Sequence, residues 1–150
     1  MLRRVLLAIA IAVSPTLAYA GPKEDSEAVF DRFLTAFTAA DVDAVVGVFW
    51  PDALFWGTTM PSLATTPEAV REYFNQALGS RKPNELKATP LETSMLVVSD
   101  SDVLISGLWQ VERIADGTPT LTPLRVSIAV TKRADTWRIA QFHNSARPVQ

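Results

Sequence analysis

The sequence predicts an α+β domain in which three N-terminal helices pack on one face of an antiparallel sheet. Apolar residues recur at helical spacing in the first half of the chain. From Leu86 onward they alternate with polar residues, in segments that polar turns separate. A length of 150 residues leaves room for one domain. Helices followed by a run of consecutive strands are typical of the α+β class, with the helices covering one sheet face.

The first twenty residues have the three parts of a secretory signal peptide. Arg3 and Arg4 form the positive region, residues 5–13 are apolar, and Ala-Tyr-Ala at 18–20 is a pattern that signal peptidase accepts. An uncleaved anchor is the alternative, but the apolar run is much shorter than the roughly twenty residues that span a bilayer. We expect cleavage before Gly21, a periplasmic or secreted protein, and no stable membrane insertion afterwards. Cleavage removes two of fourteen basic residues and none of sixteen acidic ones, which leaves a net charge of −4.

Three helices are predicted from stripes of apolar residues and from residues that favour helix ends. Asp25 or Ser26 is the expected N-cap of the first helix, and Asp41 opens the second, which Pro51 ends. Thr66, followed by proline and glutamate, opens the third. The three stripes are Val29, Phe30, Phe33, Leu34 and Phe37; Val42, Val45, Val46 and Phe49; and Val70, Phe74, Ala77 and Leu78.

The predicted strands begin with a short one at 53–56, before the third helix. Four more follow it as an antiparallel meander, because polar turns separate them. They cover residues 91–98, 103–113, 124–131 and 136–145. In the strand at 124–131, Leu124 and Val126 alternate with polar residues, which is typical of a half-buried strand.

The composition excludes several classes of function. Hydrophobic residues make up 48% and charged residues 20% of the chain, as in folded globular proteins. The absence of cysteine excludes disulfides and thiolate chemistry, and the single histidine, His143, excludes sites that need two imidazoles. A formal net charge of −2 gives no basic field for nucleic acid. We expect no nucleic-acid partner, no cofactor and no metal.

Several short sequences, taken in order, carry a resemblance to a known family. Residues 54–58 (Leu-Phe-Trp-Gly-Thr) precede the third helix, and Arg125 stands twelve residues before Trp137. The chain then reads His143, Asn, Ser and, shortly after, Pro148. From about residue 26 to 148 it resembles the SnoaL-like, ketosteroid-isomerase-like (nuclear transport factor 2-like) superfamily. Within that superfamily it is most similar to the group of the calcium/calmodulin-dependent kinase II association domain.

The resemblance implies that residues 21–150 form one cone-shaped domain. Three helices would be wrapped by a strongly curved antiparallel sheet, with a pocket at the open end and dimerisation through the sheet. Related chains usually carry an arginine at the position of Arg125 and end in His-His-Ser-Ser. Here that ending reads Phe142, His143, Asn144 and Ser145, so half of the histidine pair is missing. The chain has no kinase motifs, so kinase activity is not implied.

His143 and Arg125 are the candidate polar anchors of the pocket. If Trp137 and Ile139 face the helices, counting by twos places His143 at the end of an inward row, near the mouth of the cone. There it would act as acid, base or hydrogen-bond donor; the alternative is a structural histidine. Arg125 would offer a guanidinium fork to a carboxylate-bearing ligand, or else belong to a row that faces solvent.

Aromatic and acidic residues complete the candidate site. Trp56, Tyr73 and Trp109 are expected pocket walls, although aromatic residues in such domains are more often core. Asp52 and Glu112 are candidate bases, because a carboxylate in an apolar cone can acquire a raised pKa and abstract a proton next to a carbonyl. The alternatives are a turn residue for Asp52 and a solvated strand end for Glu112.

Three functions are consistent with the sequence. The first is an exported, dimeric domain that binds a small organic, carboxylate-bearing molecule through Arg125 and His143. The second is a cofactor-free isomerase, cyclase or hydrolase with His143 or Asp52 as the base. The third is an oligomerisation or interaction module whose cone is filled by aromatic side chains. An open cavity that touches both Arg125 and His143 would favour the first two, and a filled cone would favour the third.

Overall fold

The structure, a computed structural model, describes residues 21–115 and 117–148, and its elements follow the predicted α+β order. The signal peptide expected at residues 1–20 lies outside the described residues. Within the described part, no helix has both the length and the apolar character needed to cross a membrane. The elements are α1 (Pro22–Thr38), α2 (Val42–Gly47), β1 (Phe49–Trp56), α3 (Pro67–Leu78), β2 (Leu86–Ser99), β3 (Asp102–Ala115), β4 (Thr118–Arg133) and β5 (Thr136–Ala146).

The five strands form one sheet in the order β1-β5-β4-β3-β2. The meander from β2 to β5 is antiparallel, as the sequence predicts. Strand β1 departs from that pattern, because it lies parallel to β5 at one edge of the sheet. The chain between these two strands contains α3 and strands β2, β3 and β4, and a connection of that length allows parallel pairing.

Helix α1 begins at Pro22, earlier than the predicted caps Asp25 and Ser26. Proline suits the first helical position, because its missing N–H would have no partner there. The carboxylate of Glu24 accepts a hydrogen bond from the backbone N–H of Gly21 at 3.1 Å, which fixes the start. Ser26 therefore lies inside the helix and is fully buried.

The second helix is shorter than predicted, whereas its cap is the predicted one. The Asp41 carboxylate accepts from the backbone N–H of Ala44 at 2.9 Å. The helix ends at Gly47, and Pro51 lies inside the edge strand β1, where a missing backbone donor is tolerated. The third helix starts as predicted, with the Thr66 hydroxyl accepting from the N–H of Ala69.

The helices cover one side of the sheet, which we call the inner face, and aromatic side chains fill most of the space between. Phe33 of α1 is central, with its ring centroid 5.3 Å from that of Phe142 and 6.1 Å from that of Trp109. Phe55 of β1 stacks on Phe142 at 5.2 Å with an interplanar angle of 13°. The opposite side of the sheet, the outer face, is not covered by any described element.

Candidate functional site

A β-bulge in β5 decides which side chains enter the cone. Val130 of β4 pairs with Ile139, but the preceding Ala129 pairs with Gln141, so β5 contains one extra residue. An extra residue interrupts the alternation of a strand and reverses the side to which the following residues point. Beyond the bulge Phe142 and Asn144 are therefore buried, and His143 is exposed.

The prediction that His143 points into the cone is therefore wrong. It rested on strict alternation from Ile139, whereas the bulge places His143 on the outer face. Its neighbours across the strands are Ser127 of β4 on one side and Trp56 of β1 on the other. Trp56, predicted as a pocket wall, shares this face and is 36% exposed.

Arg125 also lies on the outer face, so the expected guanidinium inside the cone is wrong as well. It pairs with Leu108 and Ser145, between the inward-facing Leu124 and Val126. Arg125 and His143 do line one cleft of about 590 Å³, but that cleft is an open depression of the outer face. Its other polar lining residues are Glu92, Ser94, Ser106, Ser127 and Ser145.

A second, smaller cavity of about 200 Å³ lies inside the cone, between α1, α3 and the inner face. Tyr73 and Trp109, two of the predicted pocket walls, line it. The remaining lining residues are Phe33, Phe37, Thr58, Phe74, Ala77, Leu86, Val111, Thr122, Leu124, Phe142 and Asn144. The predicted single site is thus divided: Tyr73 and Trp109 lie inside the cone, whereas Trp56, Arg125 and His143 lie on the outer face.

Polar groups meet at one side of this cavity in a connected chain of hydrogen bonds. The indole N–H of Trp109 donates to the Asn144 side-chain oxygen at 2.9 Å. The Asn144 amide nitrogen donates to the Thr58 hydroxyl at 2.6 Å. The backbone N–H of Thr58 donates to the Tyr73 hydroxyl at 3.2 Å. We call Asn144, Thr58 and Tyr73 the polar cluster.

Gly57 sets the position of Tyr73. A Cβ atom added at Gly57 would lie much closer to the nearest carbon of the Tyr73 ring than van der Waals contact allows. The ring therefore packs directly on the backbone before Thr58, and this contact brings the Tyr73 hydroxyl within reach of the Thr58 N–H. Tyr73 also contacts Phe55 edge-on, at 5.0 Å between ring centroids.

Neither candidate carboxylate lines the cavity, so the expectation of a base in the cone is wrong for both. Asp52 is exposed and accepts a 2.8 Å hydrogen bond from Arg133, which lowers the pKa of Asp52 below its ordinary value. Glu112 is next to the inward-facing Val111 and pairs across the strands with Lys87. Asp52 therefore lies in solvent, and Glu112 is half-buried on the side of β3 opposite to Val111.

The chemistry open to the cavity follows from its lining. Its lining residues include no carboxylate, imidazole, guanidinium or amine. Tyr73 is the titratable side chain that its described lining contains, and the aromatic walls and hydrogen-bonding groups can hold a molecule through apolar contact and hydrogen bonds. It lacks the cation that a carboxylate-bearing ligand would need, because Arg125 lies on the other side of the sheet.

The sequence reasoning missed Thr58, Phe142 and Asn144 as lining residues. Phe142 carried the signal that would have found them, because it is a large apolar residue out of phase with Trp137 and Ile139. Two apolar residues three positions apart in a strand indicate a bulge, and a bulge places Asn144 inside the cone as well.

Comparison with known proteins identifies the family. The sequence profile of the SnoaL-like domain matches residues 27–150. The chain belongs to the SnoaL-like domain family. A search of curated protein sequences finds no match. The fold and the family that the sequence analysis expected are thereby confirmed.

Solved structures share the fold of this SnoaL-like domain at low sequence identity. One, from Xanthomonas campestris, is described as a calcium/calmodulin-dependent protein kinase II association domain. It is 19% identical, and the match covers 94% of this chain and 99% of that protein's chain with a TM-score of 0.76. The association domain of the Caenorhabditis elegans kinase is 19% identical over 83% of this chain and 95% of its own, with a TM-score of 0.70. An NTF2-like family protein from Streptomyces avermitilis, described as a dehydratase, is 10% identical over 85% and 97%, with a TM-score of 0.74. At these identities the likeness establishes the fold alone.

Proposed function

We propose that this SnoaL-like domain binds a small, uncharged and mainly apolar molecule in the cavity inside the cone. The observation that carries the proposal is the cavity itself, with aromatic walls and a polar cluster that contains no charged group. Ligand sites of this kind are concave and largely apolar, with a few placed polar groups that fix orientation.

The volume of the cavity limits the size of its ligand. An engineered protein cavity of about 150 Å³ binds benzene. The cavity here is about 200 Å³, so a molecule of one ring, or of two small fused rings, is expected to fit. Its aromatic walls include Phe33, Trp109 and Phe142, against which such a molecule would bury its apolar surface.

Indane, a fused bicyclic hydrocarbon, is a suitable probe for this proposal. Isothermal titration of the purified protein is expected to give saturable binding. Ala77→Leu, which places a larger side chain in the cavity wall, is expected to weaken it at least about tenfold. Ala69→Leu is the matched control, since Ala69 lies on the same helix outside the cavity lining. No binding to the wild type, or equal binding to the two variants, would contradict the proposal.

Self-association through the outer face is the second proposed function. Four exposed apolar residues lie on the strands around the Arg125–His143 cleft: Leu54, Trp56, Leu96 and Leu104. Glu92 and Arg125 lie on either side of Leu108 in one cross-strand row. Two strand spacings separate their Cα atoms by about 10 Å. A two-fold axis through this face would bring Glu92 of one copy towards Arg125 of the other. Similarity to association domains supports self-association.

Light scattering tests this second proposal. We expect about twice the monomer mass for the wild type and a shift to monomer for Leu104→Lys, which introduces charge into the exposed apolar pair that Leu104 forms with Leu96. Glu27→Lys, on the exposed side of α1, is the matched control and should remain dimeric. A wild type that is monomeric at micromolar concentration would remove the dimer.

We also propose that the protein is exported and that its signal peptide is cleaved. The arginine pair, the apolar run and the small residues at 18–20 support cleavage before Gly21 and a location in the periplasm or outside the cell. N-terminal sequencing of the protein recovered from its native cells is expected to begin at Gly21. Recovery of the intact N-terminus in the membrane fraction would contradict export in cleaved form.

A further inference from the structure

We infer that the molecule held in the cone presents a hydrogen-bond acceptor, such as the oxygen of a ketone, ester or amide, to the polar cluster. The inference rests on the proposed function, since it describes the chemistry of the cavity's occupant. Its basis is the set of hydrogens on Asn144, Thr58 and Tyr73 that the protein does not donate to its own acceptors.

The orientation of the Asn144 amide is fixed by its partner. An indole nitrogen can only donate, so the amide oxygen of Asn144 must be the atom that faces Trp109. The amide nitrogen then faces Thr58 and spends one of its two hydrogens on the Thr58 hydroxyl. Asn144 is 8% exposed, so its second hydrogen has little access to bulk water.

The unused hydrogens of the cluster are three. One belongs to the Asn144 amide, one to the Thr58 hydroxyl, which accepts from Asn144, and one to the Tyr73 hydroxyl, which accepts from the Thr58 backbone. None of these three hydrogens is donated to an acceptor on a described residue. Thr58 is exposed and Tyr73 is half-buried, so water can reach their hydroxyls, whereas the Asn144 amide is buried. A buried donor without a partner costs free energy, so an occupant that supplies an acceptor to the Asn144 N–H is favoured over one that does not.

The uncharged lining of the cavity further narrows the chemical class of the molecule that it would hold. A carboxylate is also an acceptor, but the cavity lining contains no cation to compensate for the loss of its hydration. A neutral carbonyl carries no such penalty, and its apolar body would lie against Phe33 and Phe142. A neutral carbonyl compound with one or two rings is therefore the best match to the cavity.

Three probes of similar size separate acceptor recognition from simple apolar binding. Indane has no polar group, 1-indanone adds one carbonyl oxygen, and indole offers an N–H donor. The quantity to compare is the affinity of each polar probe relative to indane, measured by isothermal titration in each variant. The hydration free energy of each probe in water is the same for every variant, so it cancels when the relative affinities of two variants are compared.

Asn144→Asp replaces the amide N–H by an oxygen and keeps an acceptor for Trp109. The Thr58 hydroxyl then turns its hydrogen towards the new carboxylate, so the cluster loses two donors. At pH 8 the affinity for 1-indanone relative to indane is expected to fall at least about tenfold, whereas that for indole should not fall. Tyr73→Phe, which keeps the ring, should reduce the relative affinity for 1-indanone by about threefold and remains informative if Asn144→Asp does not fold. Thr35→Val, which removes a hydroxyl on the exposed side of α1 outside the cavity lining, should leave it unchanged.

The outcomes distinguish the inference from the proposed function. Equal losses of indane and 1-indanone in Asn144→Asp and in Tyr73→Phe would overturn acceptor recognition while leaving apolar binding intact. Failure of all three probes to bind the wild type would instead remove the proposed function. A relative loss confined to 1-indanone would support the inference.

Discussion

The indole N–H of Trp109 and the side-chain oxygen of Asn144 are joined by a 2.9 Å hydrogen bond between two buried side chains on β3 and β5. Strand β4 separates these two strands in the sheet, so the bond crosses the inner face above it. It couples the aromatic wall of the cavity to the polar cluster, and it exists because the bulge at Ala140 turns Asn144 inward.

Asn144→Ala is expected to destabilise the protein. The substitution leaves the buried Trp109 N–H without its acceptor, which costs about 1–3 kcal/mol of unfolding free energy. Urea denaturation followed by fluorescence measures the change. Ser145→Ala, one residue on and on the outer face, is the control and should stay within about 0.5 kcal/mol. Equal effects of the two substitutions would show that the Trp109–Asn144 bond has no net energetic value.

Gly57→Ala is expected to displace Tyr73 from the cavity wall. The added methyl group occupies the space of the Tyr73 ring, so both the melting temperature and the affinity for indane should fall. Gly47→Ala is the matched control, because a Cβ there has no neighbour within 4 Å. It should leave binding unchanged and stabilise the protein by about 0.5–1 kcal/mol. Normal indane binding by Gly57→Ala would contradict the assigned position of Tyr73.

Asp52 is expected to affect the pH dependence of stability and not ligand binding. Its pKa is lowered from 3.8 in the folded protein by the hydrogen bond from Arg133, so the pair stabilises the fold above the unfolded-state pKa. That contribution is lost as the pH falls through the lower, folded-state pKa. The stability difference between wild type and Asp52→Asn should therefore be present at pH 7 and decrease as the pH is lowered below 3.8. Indane affinity should be the same in both proteins; a loss in Asp52→Asn would return Asp52 to the site.

Ser26→Ala is expected to leave stability unchanged or to raise it by up to about 1 kcal/mol. The Ser26 hydroxyl is fully buried in α1, and its oxygen has no hydrogen-bond partner among the described residues. Alanine also favours the helix. Thermal unfolding of the two proteins measures the difference. A clear destabilisation would mean that the hydroxyl has a partner, such as a buried water.

The order of helices and strands could be predicted because it depends on periodicity along the chain. Asp41 and Thr66 cap their helices as expected, since a side chain that caps a helix acts within four residues. The parallel pairing of β1 with β5 could not be predicted in this way. It joins Phe55 to Phe142 across most of the domain, and local patterns do not encode such distant partners.

The site could be predicted only in part, because one extra residue changes the direction of every side chain that follows it. Tyr73 lines the cavity from a regular helix, where spacing is reliable, and Trp109 does so from an unbroken part of β3. His143 follows the bulge and was therefore assigned to the wrong face. The family resemblance favoured Arg125 in the cone, and the sequence alone left the solvent-facing row open as an alternative; the structure shows the solvent-facing one.

The crystal structure of the wild-type protein grown with 1-indanone tests most directly whether the cone binds a neutral acceptor. We expect the rings between Phe33, Trp109 and Phe142, with the carbonyl oxygen within hydrogen-bonding distance of the Asn144 amide nitrogen. An unoccupied cone at saturating 1-indanone, or a ligand seated in the outer cleft beside Arg125, would contradict that expectation.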